Sequence, residues 1–325
     1  MLTRTMLKAL SGAGLAIAVA GTAPALAQTK ITAGVAAVNE ALAPVYAAEA
    51  KGYLAEEGIE IEMLNFKGGG ATVQALVGGS IDACLCAADH VLRLAARGMP
   101  ARIVAGLDDF HSYAVLTNGD APYDSLESLK GKSIGITSPG SLTDNTVRYA
   151  IGEAGMDPDS DFTIIASGNG TARRGALMTG QIDAAMFITT DVVDMLQTDG
   201  EFKIVEDFRE LAYPSFTFFV LESWAEDHPE LMKGISKALA KAIGDLQDDP
   251  AFAEEIIAQM YPNFSEALVK GVAESMVSRM PTDGIVTEAA FENLNDILTT
   301  MDDTLSPVSL GDVFDPSMLK DSPSN

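Results

Sequence analysis

The chain has 325 residues, of which 21 are Lys or Arg and 46 are Asp or Glu, so its formal net charge at pH 7 is −25. A chain this acidic has no basic surface to displace the counterions of phosphate groups, which argues against binding to nucleic acid or to anionic lipid. The length is sufficient for two ordinary domains, each with a core of its own.

The first 27 residues have the pattern of a secretory signal peptide. Arg4 and Lys8 form a basic start, a small apolar stretch covers Ala9–Ala20, and the Ala-Leu-Ala sequence at 25–27 is an A-x-A cleavage signal. The apolar stretch is too short to span a bilayer. Residues 1–27 are therefore predicted to be cleaved, leaving a mature chain in the periplasm. The alternative is an uncleaved N-terminal anchor.

Strand and helix signals then alternate, which predicts an α/β fold. Short β-branched or alternating segments are typical of strands, and proline and glycine mark the starts and stops of the helices between them. Helices between successive strands place those strands in a mostly parallel, doubly wound sheet. The predicted strands of the first lobe are Ile31–Val35, Ile59–Met63, Ile81–Cys86 and Ile103–Ala105.

One segment occurs twice, and the repeat predicts a second lobe built like the first. Ala75–Ala83 returns as Ala176–Ala184, with six of nine residues identical at an offset of 101. A glycine-containing loop precedes each copy. Two copies are too few for a solenoid, so they indicate two similar lobes with a ligand cleft between them. The predicted strands of the second lobe are Lys132–Thr137, Phe162–Ala166, Ile182–Ile188 and Phe202–Val205.

The last third of the chain is predicted to be helical, with helices that pack on the first lobe. They begin near Pro229, Pro250, Ser265 and Thr287. Two extended segments, Ser112–Thr117 and Tyr213–Val220, are expected to cross between the lobes and form a hinge. The polar tail at 306–325 is predicted to wrap on the surface or to fray. The predicted lobes are residues 28–114 with 218–325, and residues 115–217.

Both cysteines, Cys84 and Cys86, lie in one predicted strand. At positions i and i+2 of an extended strand, their Cα atoms would be about 6.5 to 7 Å apart, at or beyond the limit for a disulfide. Two buried free thiols are therefore expected. The alternative is a soft metal site shared with His90. We assign no metal to the predicted site.

Ligands of doubly wound sheets bind at the carboxyl ends of strands, against the N-termini of the helices that follow. This rule selects loops from both lobes, among which Ser138 and Ser141 have the strongest case. The candidate ligand-binding residues are Asn39, Gly69, Gly70, Asp89, His90, Ser138, Ser141, Leu142, Asn169, Thr171, Arg173 and Thr189.

Several of these residues also have a purely structural explanation. Ser141 and Asp144 have the spacing of a helix capping box, Asp89 suits a helix N-cap, and the glycines suit tight turns. Arg173 is the candidate partner of a ligand carboxylate or sulfonate, with a solvated or interdomain salt bridge as the alternative. Aromatic residues near the predicted hinge, such as Tyr113, are expected to pack in the core, unless one of them stacks on an aromatic ligand.

Four features of the chain form a series: Pro44–Ala48 with Lys51–Ile59, Ser125–Gly135, the two copies of the repeat, and Asp312–Ser317. In this order they resemble periplasmic solute-binding proteins of ABC importers, in the nitrate, sulfonate, taurine and thiamine-precursor group. The resemblance covers essentially the whole mature chain. It implies a two-lobed type II fold of the Venus-flytrap kind that closes on a ligand and hands it to an ABC importer, without catalytic residues or a cofactor.

The sequence therefore predicts a non-enzymatic binder of a small anionic or zwitterionic organic molecule, such as a sulfonate, a carboxylate or a pyrimidine-like compound. The expected partners are that ligand and the ABC transporter membrane permease, with no nucleic acid and a monomeric chain. One alternative is an enzyme on the same fold, related to pyrimidine-precursor synthesis; another is a sensory binding protein for a membrane receptor. The chain contains no G-x-S-x-G, H-E-x-x-H or P-loop sequence and only three histidines, which disfavours the enzyme.

Overall fold

Ten strands and thirteen α-helices form the regular structure of residues 28–66, 68–197 and 200–319, the parts of the chain that the computed structural model describes. The predicted signal peptide lies outside these residues. The strands are β1 Thr29–Val35, β2 Ile59–Asn65, β3 Ala83–Cys86, β4 Ala101–Phe110, β5 Tyr113–Asn118, β6 Ser133–Ile136, β7 Thr163–Ala166, β8 Ala184–Ile188, β9 Phe202–Asp207 and β10 Ala212–Leu221. The helices are α1 Ala43–Ala50, α2 Tyr53–Glu56, α3 Gly69–Val77, α4 Asp89–Ala96, α5 Leu142–Glu153, α6 Gly170–Met178, α7 Thr189–Leu196, α8 Glu222–Asp227, α9 Pro229–Asp248, α10 Pro250–Met260, α11 Glu266–Arg279, α12 Glu288–Met301 and α13 Leu310–Val313.

The strands form two five-stranded sheets of equivalent topology. The first sheet has the order β2-β1-β3-β10-β4 and the second has the order β7-β6-β8-β5-β9. In each sheet, the first three strands in this order pair in parallel, and the fourth runs antiparallel to both of its neighbours. The predicted α/β class and the division into two similarly built lobes are confirmed.

Two strands cross from one lobe to the other. β5 follows β4 in the chain but lies in the second sheet, between β8 and β9. β10 follows β9 but lies in the first sheet, between β3 and β4. Each crossing strand therefore completes the sheet of the lobe that it enters. The crossings fall between Phe110 and Tyr113 and between Asp207 and Ala212; the lobe boundaries given above stay a prediction.

The repeated segment ends a helix and starts a buried strand in both lobes. Gly79 and Gly180, which follow α3 and α6, both have a φ of 67°, a left-handed conformation that glycine adopts without steric cost. The isoleucine of each copy packs on a glycine of the neighbouring strand: Ile81 on Gly34 in the first lobe and Ile182 on Gly135 in the second. A Cβ atom on Gly34 would collide with the side chain of Ile81, and one on Gly135 would lie 2.8 Å from the side chain of Ile182.

The repeated aspartate ties the buried strand to its parallel neighbour. Asp82 accepts a hydrogen bond from the backbone N–H of Thr32, at 2.8 Å. Asp183 accepts hydrogen bonds from the backbone N–H and the hydroxyl of Ser133, at 2.9 and 2.8 Å. Because these contacts recur at corresponding places in both sheets, the repeat serves as a scaffold element of both lobes.

The C-terminal helices pack on the first lobe, as predicted. α9 lies against α1, α2 and β4, and α12 lies against β10. Up to Leu319 the tail packs on the first lobe, which is the first of the two predicted alternatives: Phe314 bridges to Ile103 at the edge of the first sheet, and Val313 and Leu319 are buried. Within the described ranges, no helix is both long enough and apolar enough to span a bilayer.

The two crossings are bonded to each other and to the end of α11. His111 N–H donates to the carbonyl of Leu211 at 2.8 Å, and the hydroxyls of Ser112 and Ser215 are 2.6 Å apart. The buried Arg279 donates to the carboxylate of Asp108 at 2.6 Å. Its guanidinium also donates to three main-chain carbonyls in the crossings, those of Phe110, His111 and Arg209, at 3.0 to 3.1 Å.

The expectation of two free thiols is wrong, because Cys84 and Cys86 form a disulfide. The expectation assumed a fully extended strand, but the two Cα atoms are 5.5 Å apart, which lies within the usual range for a disulfide. β3 contains four residues, and both cysteines are fully buried in it. Because the bond uses both thiols, the alternative metal site with His90 is not formed.

Candidate functional site

A cleft lies between the lobes, at the carboxyl ends of β1, β3, β6 and β8. Its wider chamber has a volume of about 310 Å³. A narrower chamber of about 30 Å³ adjoins it, and the two share Ala36, Ala37, Tyr113 and Thr137 as walls. The cleft walls include residues at the N-termini of five helices: α3, α4, α5, α6 and α7. This is the placement that the strand-end rule predicts.

The narrow chamber contains four of the predicted site residues, Gly69, His90, Ser141 and Leu142. The imidazole of His90 packs directly on the main chain of Gly69, so that a Cβ atom at residue 69 would collide with Nε2. Ser141 is the N-cap of α5 and accepts from the N–H of Asp144 at 3.4 Å. Its hydroxyl also accepts from that of Thr137 at 2.7 Å. Ser141 therefore caps a helix and lines the cleft at once.

The wide chamber contains three more predicted residues, Asn169, Thr171 and Arg173. Asn169 caps α6 by accepting from the N–H of Ala172, at 3.0 Å. The side chain of Arg173 is 2% exposed, donates to the carbonyl of Gly168 and lies over the ring of Phe187, 5.7 Å from its centroid. Its Nε has no hydrogen-bonding partner among the described residues.

The other predicted residues lie behind the walls of these two chambers. Asn39 accepts from the N–H of Ala41 at 3.0 Å and starts a short 3-10 turn. Asp89 accepts from the side-chain amide of Asn145 in the second lobe, at 2.8 Å. The hydroxyl of Thr189 donates to the carbonyl of Ser112, at 3.1 Å. Asp89 therefore joins the two lobes and Thr189 holds the first crossing, whereas Asn39 caps a turn within the first lobe.

Ser138 and Gly70 mark a neighbouring part of the cleft. Ser138 Oγ is buried and lies 3.2 Å from the place where a Cβ atom of Gly68 would be. Gly70 lines a separate cavity of about 410 Å³, which shares His90 with the narrow chamber. The structure therefore places both residues near the narrow chamber without adding them to its wall.

Several residues that line the wide chamber are not among the site residues predicted from the sequence. Thr190 and Asp191 line the wide chamber because α7 begins at Thr189, which turns the next two side chains toward the cleft. Tyr261 and Phe264 come from the connection between α10 and α11, and their rings stack 4.5 Å apart. The strand-end rule identifies neither of these aromatic residues, because they reach the cleft only through tertiary packing.

Burial shifts the ionisable groups of the wide chamber toward their neutral forms. It lowers the pKa of Arg173, against the opposing influence of nearby Tyr113 and Asp191. It raises the pKa of Asp191, against the opposing charge of Arg173. It also raises the pKa of Tyr113 to about 12, so the phenol is neutral and can donate a hydrogen bond. The chamber therefore holds a cation, an acid and a neutral donor close together.

Direct hydrogen bonds join the lobes on both sides of the cleft. The hydroxyl of Thr190, in the second lobe, donates to Glu40 in the first, and burial raises the pKa of that carboxyl. Asn145, also in the second lobe, donates to Asp89 and accepts from Arg93, at 2.8 and 3.0 Å. The two lobes are therefore in contact around the cavity.

Comparisons with known proteins agree with this architecture. The model of the family described as NMT1/THI5 like matches residues 39–253. The 4-amino-5-hydroxymethyl-2-methylpyrimidine phosphate synthase THI13 of Saccharomyces cerevisiae is 25% identical over 241 residues, which are 69% of this chain and 69% of that protein. A solved structure from Bordetella bronchiseptica RB50 is 25% identical and has a TM-score of 0.79, covering 90% of this chain and 96% of its own.

A second solved structure is that of the alkanesulfonate-binding protein SsuA from Xanthomonas axonopodis pv. citri bound to MOPS. It is 19% identical, covers 88% of this chain and 97% of its own, and has a TM-score of 0.71, so this likeness concerns the fold alone. The matched strands and helices are those of the periplasmic-binding-protein fold. The chain therefore belongs to the NMT1/THI5-like family and has the two-lobed type II fold that its sequence predicts.

Proposed function

We propose that this protein is the periplasmic solute-binding component of an ABC importer. It captures a small anionic or zwitterionic organic molecule between its lobes and delivers it to a membrane permease. In this proposal, residues 1–27 direct export and are then removed. The binding protein itself performs no chemistry on the ligand.

The observation that carries the proposal is the position of Arg173. Its guanidinium is almost fully buried, lines the wide chamber and keeps an Nε–H without a partner among the described residues. A buried cationic donor left unsatisfied is costly, and an anionic ligand group removes that cost. The N-terminus of α6, which begins at Gly170 in the same wall, adds main-chain donors and a favourable dipole for an anion.

The comparisons support this class of ligand and partner. The structural neighbour SsuA is named as an alkanesulfonate-binding protein, and sulfonates carry the kind of charge that Arg173 and the helix N-termini would bind. Its fold is shared over most of both chains.

The proposal can be tested with purified mature protein, residues 28–325, by thermal shift and calorimetry. The probes are alkanesulfonates, short carboxylates, nitrate and aminopyrimidines. A probe at about 100 times its dissociation constant should stabilise the protein by about 2.7 kcal/mol. Arg173→Gln should abolish that stabilisation. Arg174→Gln is the matched control, because Arg174 is paired with Asp194 at 2.7 Å outside the cleft. No stabilisation by any probe would contradict the proposal.

Delivery to a permease requires a cellular test. Deletion of the gene should abolish uptake of the radiolabelled probe that binds best in vitro. The wild-type gene should restore uptake, and the Arg173→Gln gene should not. Uptake that is unchanged by the deletion would contradict the transport role while leaving the binding role in place.

A second candidate is an enzyme of pyrimidine synthesis, favoured by the name of the yeast relative. His90, which is buried beside the narrow chamber, is the histidine that the structure offers there for chemistry. Mass spectrometry after incubation with the bound probe separates the two candidates. Recovery of the probe unchanged favours the binding protein. Formation of a pyrimidine product that is lost in His90→Ala would favour the enzyme.

A further inference from the structure

Two opposite charges face the wide chamber without forming an ion pair with each other. Arg173 lies on α6 and Asp191 on α7, and both line the same cavity of about 310 Å³. In the described part of the chain, no ion pair within 4.0 Å joins them. The carboxylate of Asp191 rests on the main chain of Gly170, where a Cβ atom would collide with it.

The same two helices form an ion pair between Arg174, which follows Arg173 on α6, and Asp194, which lies three residues after Asp191 on α7. Arg174 donates to Asp194 at 2.7 Å, and both of these side chains are more exposed than the buried Arg173. α6 and α7 are therefore close enough for salt bridges. Their cleft-facing charges nevertheless remain apart, held by Gly168 and Phe187 on one side and by Gly170 on the other.

A ligand with a single negative charge would satisfy only half of this arrangement. It would neutralise Arg173 but would lie beside the half-buried carboxylate of Asp191, and like charges in a largely desolvated site repel strongly. It would also enter against the field of a chain with a formal net charge of −25. A zwitterion, which carries one positive and one negative charge, is favoured both by the opposite charges of the chamber and by the net charge of the chain.

We propose that the cleft selects a zwitterion, with its anionic group on Arg173 and its cationic group on Asp191. This inference rests on the proposed function and specifies its ligand class. Tyr113, which lines both chambers, contributes a neutral hydroxyl beside the two charges. The ligand class is therefore a small molecule with a sulfonate or carboxylate a few bonds from an ammonium group.

Calorimetry with matched probes tests the inference. Taurine and ethanesulfonate share a two-carbon sulfonate and differ by the ammonium group; β-alanine and propionate differ in the same way. We expect at least one zwitterion to bind the wild-type protein at least about ten-fold more tightly than its deaminated partner. Asp191→Asn should remove this preference by weakening the zwitterion and not the monoanion.

Asp194→Asn is the matched control, because Asp194 lies on the same helix and pairs outside the cleft. It should leave both affinities unchanged, and circular dichroism checks that each variant is folded. Equal binding of zwitterion and monoanion, or a preference that survives Asp191→Asn, would overturn the inference. Monoanion binding that is lost in Arg173→Gln would then still support the proposed function. Binding of none of the four probes would overturn the inference, and the wider panel above would decide the proposed function.

Discussion

The buried ion pair at the two crossings predicts a large loss of stability on replacement of Arg279 by Met. Arg279 and Asp108 are 7% and 3% exposed, and their side chains meet at 2.6 Å. The variant would leave the Asp108 carboxylate buried without its cation and would also free three main-chain carbonyls of the crossings. Removal of one partner of a buried pair costs about 3–5 kcal/mol, so we expect a loss of that size in the free energy of unfolding.

A double-mutant cycle separates the ion pair from the other contacts. Asp108→Asn alone leaves Arg279 uncompensated, but the double variant Asp108→Asn with Arg279→Met leaves neither charge. The double variant should therefore lose about 1–3 kcal/mol less than the sum of the two single losses. Urea unfolding can be followed by the fluorescence of Trp224, the one tryptophan of the chain, which lies on α8. A loss below about 1 kcal/mol for Arg279→Met, or strictly additive losses, would show that Arg279 and Asp108 do not stabilise each other's buried charges.

Three further predictions concern pH, the cleft and the cysteines. Burial lowers the pKa of His111 to about 3, so its contribution to stability is present above the unfolded pKa of about 6.5 and is lost as the pH falls from there toward 3. His111→Gln should therefore cost about 2 kcal/mol less at pH 5 than at pH 7 in urea unfolding, and an equal cost at both would contradict this. Gly170→Ala should weaken binding of the best probe by at least about ten-fold through its collision with Asp191, whereas Gly175→Ala on the same helix meets nothing within 4 Å and should leave binding unchanged. Iodoacetamide added to denatured, unreduced protein should leave the mass unchanged, and labelling of two thiols would show that the disulfide is absent.

The order of strands and helices could be predicted because each element has a local cause. The strand β8 is a continuous apolar stretch that is buried at all five positions, and α9 begins at a proline in its first turn. The repeat in the sequence predicts two similar lobes without any knowledge of how the strands pair. The pairing of β5 and β10 was not predictable in detail, because the sequence shows that these segments are strands but not which two strands each of them lies between.

The sequence predicts which loops form the candidate site but not which of their side chains point into the cleft. The strand-end rule selects the loop before α7, but the choice of Thr189 over Thr190 depends on where the helix begins. Tyr261 and Phe264 follow α10, far along the chain from every loop of the cleft. The disulfide could not be predicted from regular strand geometry, because the Cα atoms of the pair lie 5.5 Å apart, closer than the roughly 6.5 to 7 Å of an extended strand.

The exchange of crossing strands has a consequence for the order in which the chain can fold. The second lobe is complete once residue 207 is available, since β5–β9 form a continuous stretch of chain. The first lobe is not: β3 and β4 each lack a neighbour until β10, ending at Leu221, enters between them. A chain synthesised from its N-terminus therefore leaves two strand edges unpaired for more than a hundred residues, and β3 pairing directly with β4 is the misfolded product to look for when folding begins before β10 is available.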